Sequence, residues 1–219
     1  MIYGRKNDTE ERDILDAFLI KGIPLNQNKD IRAKIVSIYE EVRDYPFKIQ
    51  LDRESGDYCY DLKYVQMHKK GSCSQKHYFL GSIYENFGLS VGYLTYPFYW
   101  YELIVNFPDF LQEIVKKLPM MYHLAIQLSF EKESFLLDAS WDSSLGKAGF
   151  PINKIGGKLQ STNLAIVPAG NCLIHSSIGE REEFIKTINN KRGKISQEEI
   201  KFFTLFNNWL EDLRKIKTE

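Results

Sequence analysis

The chain contains no apolar run of the roughly 20 residues that a membrane-spanning helix needs. Its first residues, 1–11, are polar and charged, whereas a signal peptide has an apolar segment near its start. From these two absences we expect neither a membrane partner nor an exported protein.

The sequence also lacks an excess of either charge. The 219 residues include 29 Lys and Arg and 29 Asp and Glu, which gives a formal net charge of +0 at pH 7. Nucleic acids and anionic membranes attract proteins with a basic excess, so we expect neither as a partner. The densest basic stretch, Lys186–Lys194, also contains Asn and Gly, and we predict a solvated loop there.

Cysteine is scarce, with three residues in the chain. An odd number without an export signal argues against a disulfide scaffold and favours a reducing cytoplasm with free thiols. Cys172 and His175 supply two ligands where zinc needs three or four, and Cys59 and His68 are distant in sequence. The segment 156–158, Gly-Gly-Lys, lacks the phosphate-loop pattern and is predicted to form a turn. We therefore expect no metal and no cofactor.

The first half of the chain has the apolar periodicity of helices. A capping box at 8–11 predicts a helix that stops at Gly22. Three further helices are predicted, the last of them capped by Ser72. They cover Asp30–Asp44, Tyr58–His68 and Cys73–Phe87.

The second half is rich in strand-like segments. The predicted strands are Leu89–Tyr96, Tyr122–Phe130, Ser134–Ala139 and Leu164–Pro168, with a turn at 131–133. Helices are predicted over Phe107–Leu118 and after a capping box at Ser196–Glu199. Helices followed by an antiparallel sheet give an α+β fold, and the absence of repeats or linkers predicts one domain over 1–219.

Three residues occur in the order that thiol acyl-transfer chemistry needs. Cys73 opens a predicted helix, His123 lies on a strand and Asp138 lies on the next strand. The unpaired N–H groups of a first helical turn favour a thiolate and can also face an oxyanion. His123 would take the thiol proton and return it to the leaving amine. Asp138 would fix the imidazole tautomer and stabilise the imidazolium.

Each of these residues, taken singly, is more often structural than catalytic. Their joint order favours the catalytic interpretation, and the pairing register between the two strands stays open. A rival pair also stays open, because His77 lies one helical turn after Cys73. We hypothesise that part of the aromatic run Tyr93–Tyr101 lines an acyl-group pocket.

Several segments resemble the transglutaminase-like superfamily, whose fold is papain-like. They are Lys70–Ser74 with its following helix, Phe87–Val91, Ile38–Tyr45, Tyr122–Leu124 and Leu137–Asp142. In that family a Gly-x-Cys segment opens the core helix. By position, the resemblance implies Cys73 as nucleophile, His123 as base and Asp138 as the orienting acid. It also implies that the core covers about 31–142, followed by a strand and helix extension over 146–219.

The resemblance implies an amide-containing or peptide substrate as well. Trp141 of the Asp segment joins Gly71, Tyr96 and Trp100 as predicted substrate contacts. Gly71 has no side chain and would let a substrate backbone approach the sulfur. Gln66, seven residues before Cys73, is a candidate oxyanion donor by analogy with papain-like enzymes.

The resulting hypothesis is a cytoplasmic thiol enzyme that forms a thioester at Cys73 and passes the acyl group to water or an amine. Proteases, deamidases and transglutaminases all work in this way. An arylamine N-acetyltransferase-like enzyme would use the same three residue types. The alternative from another class is a catalytically silent binding module with the same fold.

Overall fold

The computed structural model describes residues 31–51 and 62–215. The helix predicted over 8–22 and the start of the helix predicted over Tyr58–His68 lie outside these ranges. The α-helices are α1 (Ile31–Asp44), α2 (Leu62–His68), α3 (Cys73–Asn86), α4 (Asp109–Val115), α5 (Ile178–Arg192) and α6 (Gln197–Lys215). Short 3₁₀ helices cover Trp100–Glu102 and Ser143–Ala148. Within the described ranges, no helix combines the length and the apolar character that crossing a membrane requires.

One antiparallel sheet has four strands: β1 (Ser90–Phe98), β2 (Met121–Phe130), β3 (Glu133–Leu137) and β4 (Leu173–His175). Their spatial order is β3-β2-β1-β4. Helices α1 and α3 pack against this sheet through a shared apolar core. The predicted α+β class is therefore confirmed.

The β2–β3 hairpin turns at Glu131 and Lys132, as predicted, and both residues have a positive φ, 49° and 69°. Two central residues with positive φ are typical of the type I′ turn, whose twist matches that of the flanking strands. The turn aligns Ile126 with Leu137, so residues of opposite parity face each other. This pairing leaves His123 and Asp138 close together at the open end of the hairpin.

Helix α3 is the central helix, since every residue from Ser74 to Tyr84 is buried. Its N-terminus has a reciprocal capping box. The Ser72 hydroxyl accepts from Gln75 N at 3.4 Å, and the Gln75 side chain accepts from Ser72 N at 2.9 Å. These two bonds fix the point at which the helix begins, and Cys73 is its first residue.

A second apolar core surrounds α6, the helix predicted to follow the capping box at Ser196–Glu199. Phe202, Phe203, Phe206 and Leu210 of α6 are buried in it. The predicted capping box is present, because Ser196 N donates to Glu199 Oε2 at 2.9 Å and Glu199 N donates to Ser196 Oγ at 3.2 Å. Cys73 packs at the margin of this second core.

The strand predicted over Leu164–Pro168 is wrong. Side chains, and not a neighbouring strand, bind the backbone of this segment. Ala165 N donates to Asp138 Oδ2 at 2.7 Å, and Ala165 O accepts from Trp141 Nε1 at 3.0 Å. The fourth strand lies further along the chain, at Leu173–His175.

The solvated loop predicted over Lys186–Lys194 is also wrong, because α5 continues to Arg192. Its N-terminus is capped, with Glu180 N donating to Ser177 Oγ at 3.1 Å. The helix is polar around most of its circumference but buries Arg181 and Ile185 on one narrow face. Packing of that face, which sequence periodicity did not reveal, stabilises the helix.

Candidate active site

Cys73 presents a free, partly exposed thiol at the N-terminus of α3. The His123 side chain and the backbone N–H of Leu124 lie close enough to the sulfur to lower the pKa of the thiol, and Cys73 and His123 line the same cavity. Ser72 O already accepts from Lys76 N at 2.9 Å. The N–H groups of Cys73 and Ser74 have no carbonyl four residues earlier within the helix, as is general for a first turn.

His123 lies between Cys73 and Asp138. Its Nε2 is 2.7 Å from Asp138 Oδ2, which leaves Nδ1 as the ring nitrogen that faces Cys73. Asp138 is the residue that follows β3, and both side chains are buried, with exposures of 2% and 1%. The structure thus places His123 in a hydrogen bond with Asp138 and in the same cavity wall as Cys73.

The side chains of Cys73, His123 and Asp138 shift one another's pKa values towards their charged forms. Burial acts to raise the pKa of the Cys73 thiol, but the neighbouring His123, above all through its charge, outweighs burial and holds that pKa below its ordinary value. Burial acts to lower the pKa of His123, yet Asp138 and Cys73 raise it to about 10. The pKa of Asp138 lies well below its usual range, because His123 more than offsets the effect of burial. Both shifts, a lowered pKa for the thiol and a raised pKa for the imidazole, favour a thiolate beside an imidazolium.

The Asp138 carboxylate is held by hydrogen bonds at both oxygens. Oδ2 accepts from His123 and from Ala165 N at 2.7 Å each. Oδ1 accepts from Ser140 N at 3.0 Å and from Ser140 Oγ at 2.7 Å. Its backbone carbonyl accepts from Tyr39 Oη at 2.8 Å and from Asn153 Nδ2 at 3.0 Å. Of these supports, only the nearby Ser140 has a signal in the sequence, the local Asp-x-Ser pattern.

His77, the rival base, does not face the sulfur. Its Nδ1 is 2.7 Å from Cys73 O, and its Nε2 accepts from Ala139 N at 2.8 Å. Burial lowers the pKa of His77 to about 4, so the ring is neutral at pH 7. His77 therefore ties the start of α3 to the segment that follows Asp138, and the Cys73–His77 dyad is not formed.

Lys76 is a fully buried support that the sequence did not indicate. Its Nζ donates to the carbonyl oxygens of Arg43, Tyr45 and Ser140 at 2.8, 2.8 and 2.9 Å. Burial lowers the pKa of Lys76, but three such bonds require the ammonium form, because a neutral amine has two N–H groups. Lys76 thus joins α3 to both chain segments that flank the site.

A cavity of about 80 Å³ opens beside Cys73 and His123. Two predicted substrate contacts, Trp100 and Trp141, line it. Other wall residues come from parts of the chain to which no role was assigned. Those on α5 and α6 are Ile185, Ile188, Asn189, Arg192 and Phe203.

Three predicted site residues lie outside the wall of this cavity. Tyr96 is the cross-strand partner of His123, and the nearby Cys172 side chain helps burial to raise the pKa of its hydroxyl. Gln66 lies on α2, and its role as an oxyanion donor stays a prediction. Gly71 is buried, and a Cβ there would lie 3.0 Å from the Gln75 Cβ. Its small size therefore serves internal packing, and its contact with a substrate stays a prediction.

The other two motifs noted in the sequence are the Gly-Gly-Lys segment at 156–158 and the Cys172/His175 pair. Gly156 and Gly157 form the predicted turn, with φ of 55° and 79°. The His175 ring packs on Phe184 at a centroid distance of 5.3 Å. Within 31–51 and 62–215, no three His, Cys, Asp or Glu side chains are grouped so that they could hold a metal ion.

No protein-family model matches the chain, and no curated protein matches it significantly. Among solved structures, the chain is similar to a candidate cysteine protease from Cytophaga hutchinsonii, with 12% sequence identity and a TM-score of 0.39. The match covers 78% of this chain and 47% of that one, so this chain spans about half its length. A likeness this weak says nothing about activity.

Proposed function

We propose that the protein is a transglutaminase-like thiol enzyme that hydrolyses or transfers an acyl group at an amide bond. The observation that carries this proposal is the 2.7 Å bond between His123 and Asp138 next to Cys73, which lines the same cavity as His123 at the start of α3. A buried imidazolium–carboxylate pair beside a partly exposed thiol has no evident packing role. It does match what a nucleophile, a base and an orienting acid require.

The proposed reaction begins with attack of the Cys73 thiolate on the substrate carbonyl carbon. The new C–S bond forms as the carbonyl oxygen becomes an oxyanion, which the Cys73 N–H at the start of α3 can face. The oxyanion then collapses, the C–N bond breaks and His123 gives its Nδ1 proton to the leaving amine. The products of this half-reaction are a thioester at Cys73 and a free amine.

The second half-reaction regenerates the thiolate. Water or an acceptor amine gives a proton to His123 Nδ1 as it attacks the thioester carbon, and the C–S bond breaks. Throughout the cycle, Asp138 holds Nε2 and so keeps Nδ1 directed at the reacting atoms. The closed hydrogen-bond set of Asp138 keeps this geometry fixed, which lowers the reorganisation that each step needs.

Acyl-enzyme formation tests the proposal. The protein is mixed with p-nitrophenyl acetate, and p-nitrophenolate release is followed together with the intact mass. We expect a burst of one equivalent and an acetyl group on Cys73 that hydroxylamine removes. Cys73→Ala should abolish the burst, while Cys172→Ser, which changes the other described cysteine, should not.

Three outcomes separate the candidate functions. Turnover of the acyl-enzyme by water or amines supports the proposed hydrolase or transferase. Turnover of acetyl-coenzyme A with an arylamine selects the N-acetyltransferase-like enzyme. Acetylation of Cys73 no faster than that of Cys172 leaves only a silent binding module and refutes the proposal.

A further inference from the structure

The C-terminal helices supply part of the cavity wall beside the nucleophile. Ile185 and Ile188 of α5 and Phe203 of α6 line the same cavity as Cys73. Ile185 and Phe203 are buried, and Ile188 is half-buried. The segment outside the predicted catalytic core therefore determines what fits next to the sulfur.

The wall is also nearly neutral. Apart from the Cys73–His123 pair, its charged side chain is Arg192, whose Nη2 lies 2.9 Å from Glu199 Oε1. Arg192 Nη1 additionally contacts the Met121 sulfur at 3.2 Å. Because Glu199 is 3% exposed, its carboxylate balances the guanidinium without contact with bulk water. A second charge in the cavity would have no counter-ion and would be costly to bury.

The cavity volume limits the size of its occupant. A cavity of about 80 Å³ has room for several water-sized groups, because a single one needs at least about 10–15 Å³. A short alkyl chain or a single ring has this size, and a folded polypeptide segment does not.

We propose that this cavity binds the acyl group of the substrate, that this group is uncharged and apolar with about six carbon atoms, and that α5 sets its length. The inference rests on the proposed function, because it assigns the cavity to the group that becomes attached to Cys73. Ile188 of α5 is half-buried in the cavity wall, and we assign the length limit to this side chain.

Alkyl methanethiosulfonates test the cavity without a known substrate. The thiolate attacks the sulfenyl sulfur, a Cys–S–S–R disulfide forms and methanesulfinate leaves with the electron pair of the broken S–S bond. Rates at Cys73 and Cys172 are measured in the same sample by peptide-resolved mass spectrometry. The reagents carry methyl, propyl, pentyl, decyl, 2-sulfonatoethyl and 2-(trimethylammonio)ethyl groups.

The Cys73-to-Cys172 rate ratio should rise about fourfold per methylene up to pentyl, following the transfer of each methylene out of water. It should stop rising before decyl, and both charged reagents should give ratios at least tenfold below that of propyl. In Ile188→Ala the alkyl chain length that gives the highest rate ratio should become longer, and in Ile188→Phe it should become shorter. If Ile188→Ala does not fold, Ile188→Phe still tests the length limit. Ile178→Ala is the matched control, because Ile178 lies on α5 but packs against the other core.

Two results would overturn the inference. In the first result, Cys73 reacts faster than Cys172, but the rate ratio is equal for charged and apolar reagents, or the chain length with the highest ratio is the same in both Ile188 variants as in the natural protein. The cavity is then not an acyl site, and the proposed function survives. If Cys73 shows no enhanced rate with any reagent, the proposed function and this inference both fail.

Discussion

Asp138→Asn removes one negative charge from the centre of the site and leaves the side-chain shape unchanged. The carboxylate accepts N–H groups at both oxygens, from His123 and Ala165 on one side and from Ser140 on the other. In either orientation of the new amide, its NH₂ group faces an N–H donor. At least one buried donor loses its acceptor, which should cost about 1–3 kcal/mol of unfolding free energy.

The larger effect is electrostatic. Asp138 is the leading cause that raises the pKa of His123, and the His123 charge in turn is the leading cause that lowers the pKa of Cys73. Without the carboxylate we expect the thiol to return to an ordinary pKa of ~8.5. Such a thiol is about 1% ionised at pH 6.5, so alkylation at this pH should fall by up to about 100-fold. At pH 9.5 the two proteins should differ little.

The assay is the rate of Cys73 carboxamidomethylation between pH 5 and 9.5, with Cys172 in the same sample as the internal standard. Asp142→Asn is the matched control, because Asp142 is also buried but bonds to Arg214 and Phe47 N. It should lower stability without moving the Cys73 profile. The reasoning is refuted if Asp138→Asn leaves the profile unchanged, or if both variants shift it equally.

Three further predictions concern stability, each measured by urea unfolding. His123 has a pKa raised to about 10 in the folded protein, so its charge should contribute fully to the free energy of unfolding below its unfolded pKa of ~6.5, and this contribution should be lost as pH rises through about 10. The difference in unfolding free energy between the natural protein and His123→Gln should therefore shrink over this pH window. A constant difference would contradict the prediction. Gly71→Ala should lower the free energy of unfolding by about 1–3 kcal/mol, because the new Cβ would lie 3.0 Å from Gln75 Cβ. Gly149→Ala is the control: a Cβ there would meet open space, but φ is +85°, so this variant tests backbone strain alone. Lys76→Met should cost at least about 3 kcal/mol, because three buried carbonyls lose their donor, and an unchanged unfolding midpoint would show that those bonds contribute nothing.

Features that depend on neighbours in sequence were predictable. The capping boxes at Ser72 and Ser196 involve residues three positions apart, and both are present. The β2–β3 turn also lies where local polarity predicted it. The order of the helices and strands around Cys73, His123 and Asp138 followed from these local signals.

Features that depend on distant partners were not predictable. The supports of Asp138 come from Tyr39 and Ala165, 99 and 27 residues away, and neither has a polar side-chain pattern that points to it. The sequence also missed the helical state of Lys186–Arg192, because the narrow apolar face of α5 is identifiable only against the surface that covers it. Gln66 was proposed by analogy in spacing, but spacing along a chain does not fix where a side chain lies.

The sequence alone determined the elements from α1 to β3, the helix α6 and the order in which three chemically suitable side chains occur, because caps, turns and helical periodicity act over a few residues. The tertiary structure alone decided that His123 and not His77 faces the thiol, and that α5 and α6 complete a small apolar cavity beside it. These outcomes follow from the strand register and from the packing of remote segments, where many weak contacts act together and no single local pattern records the result.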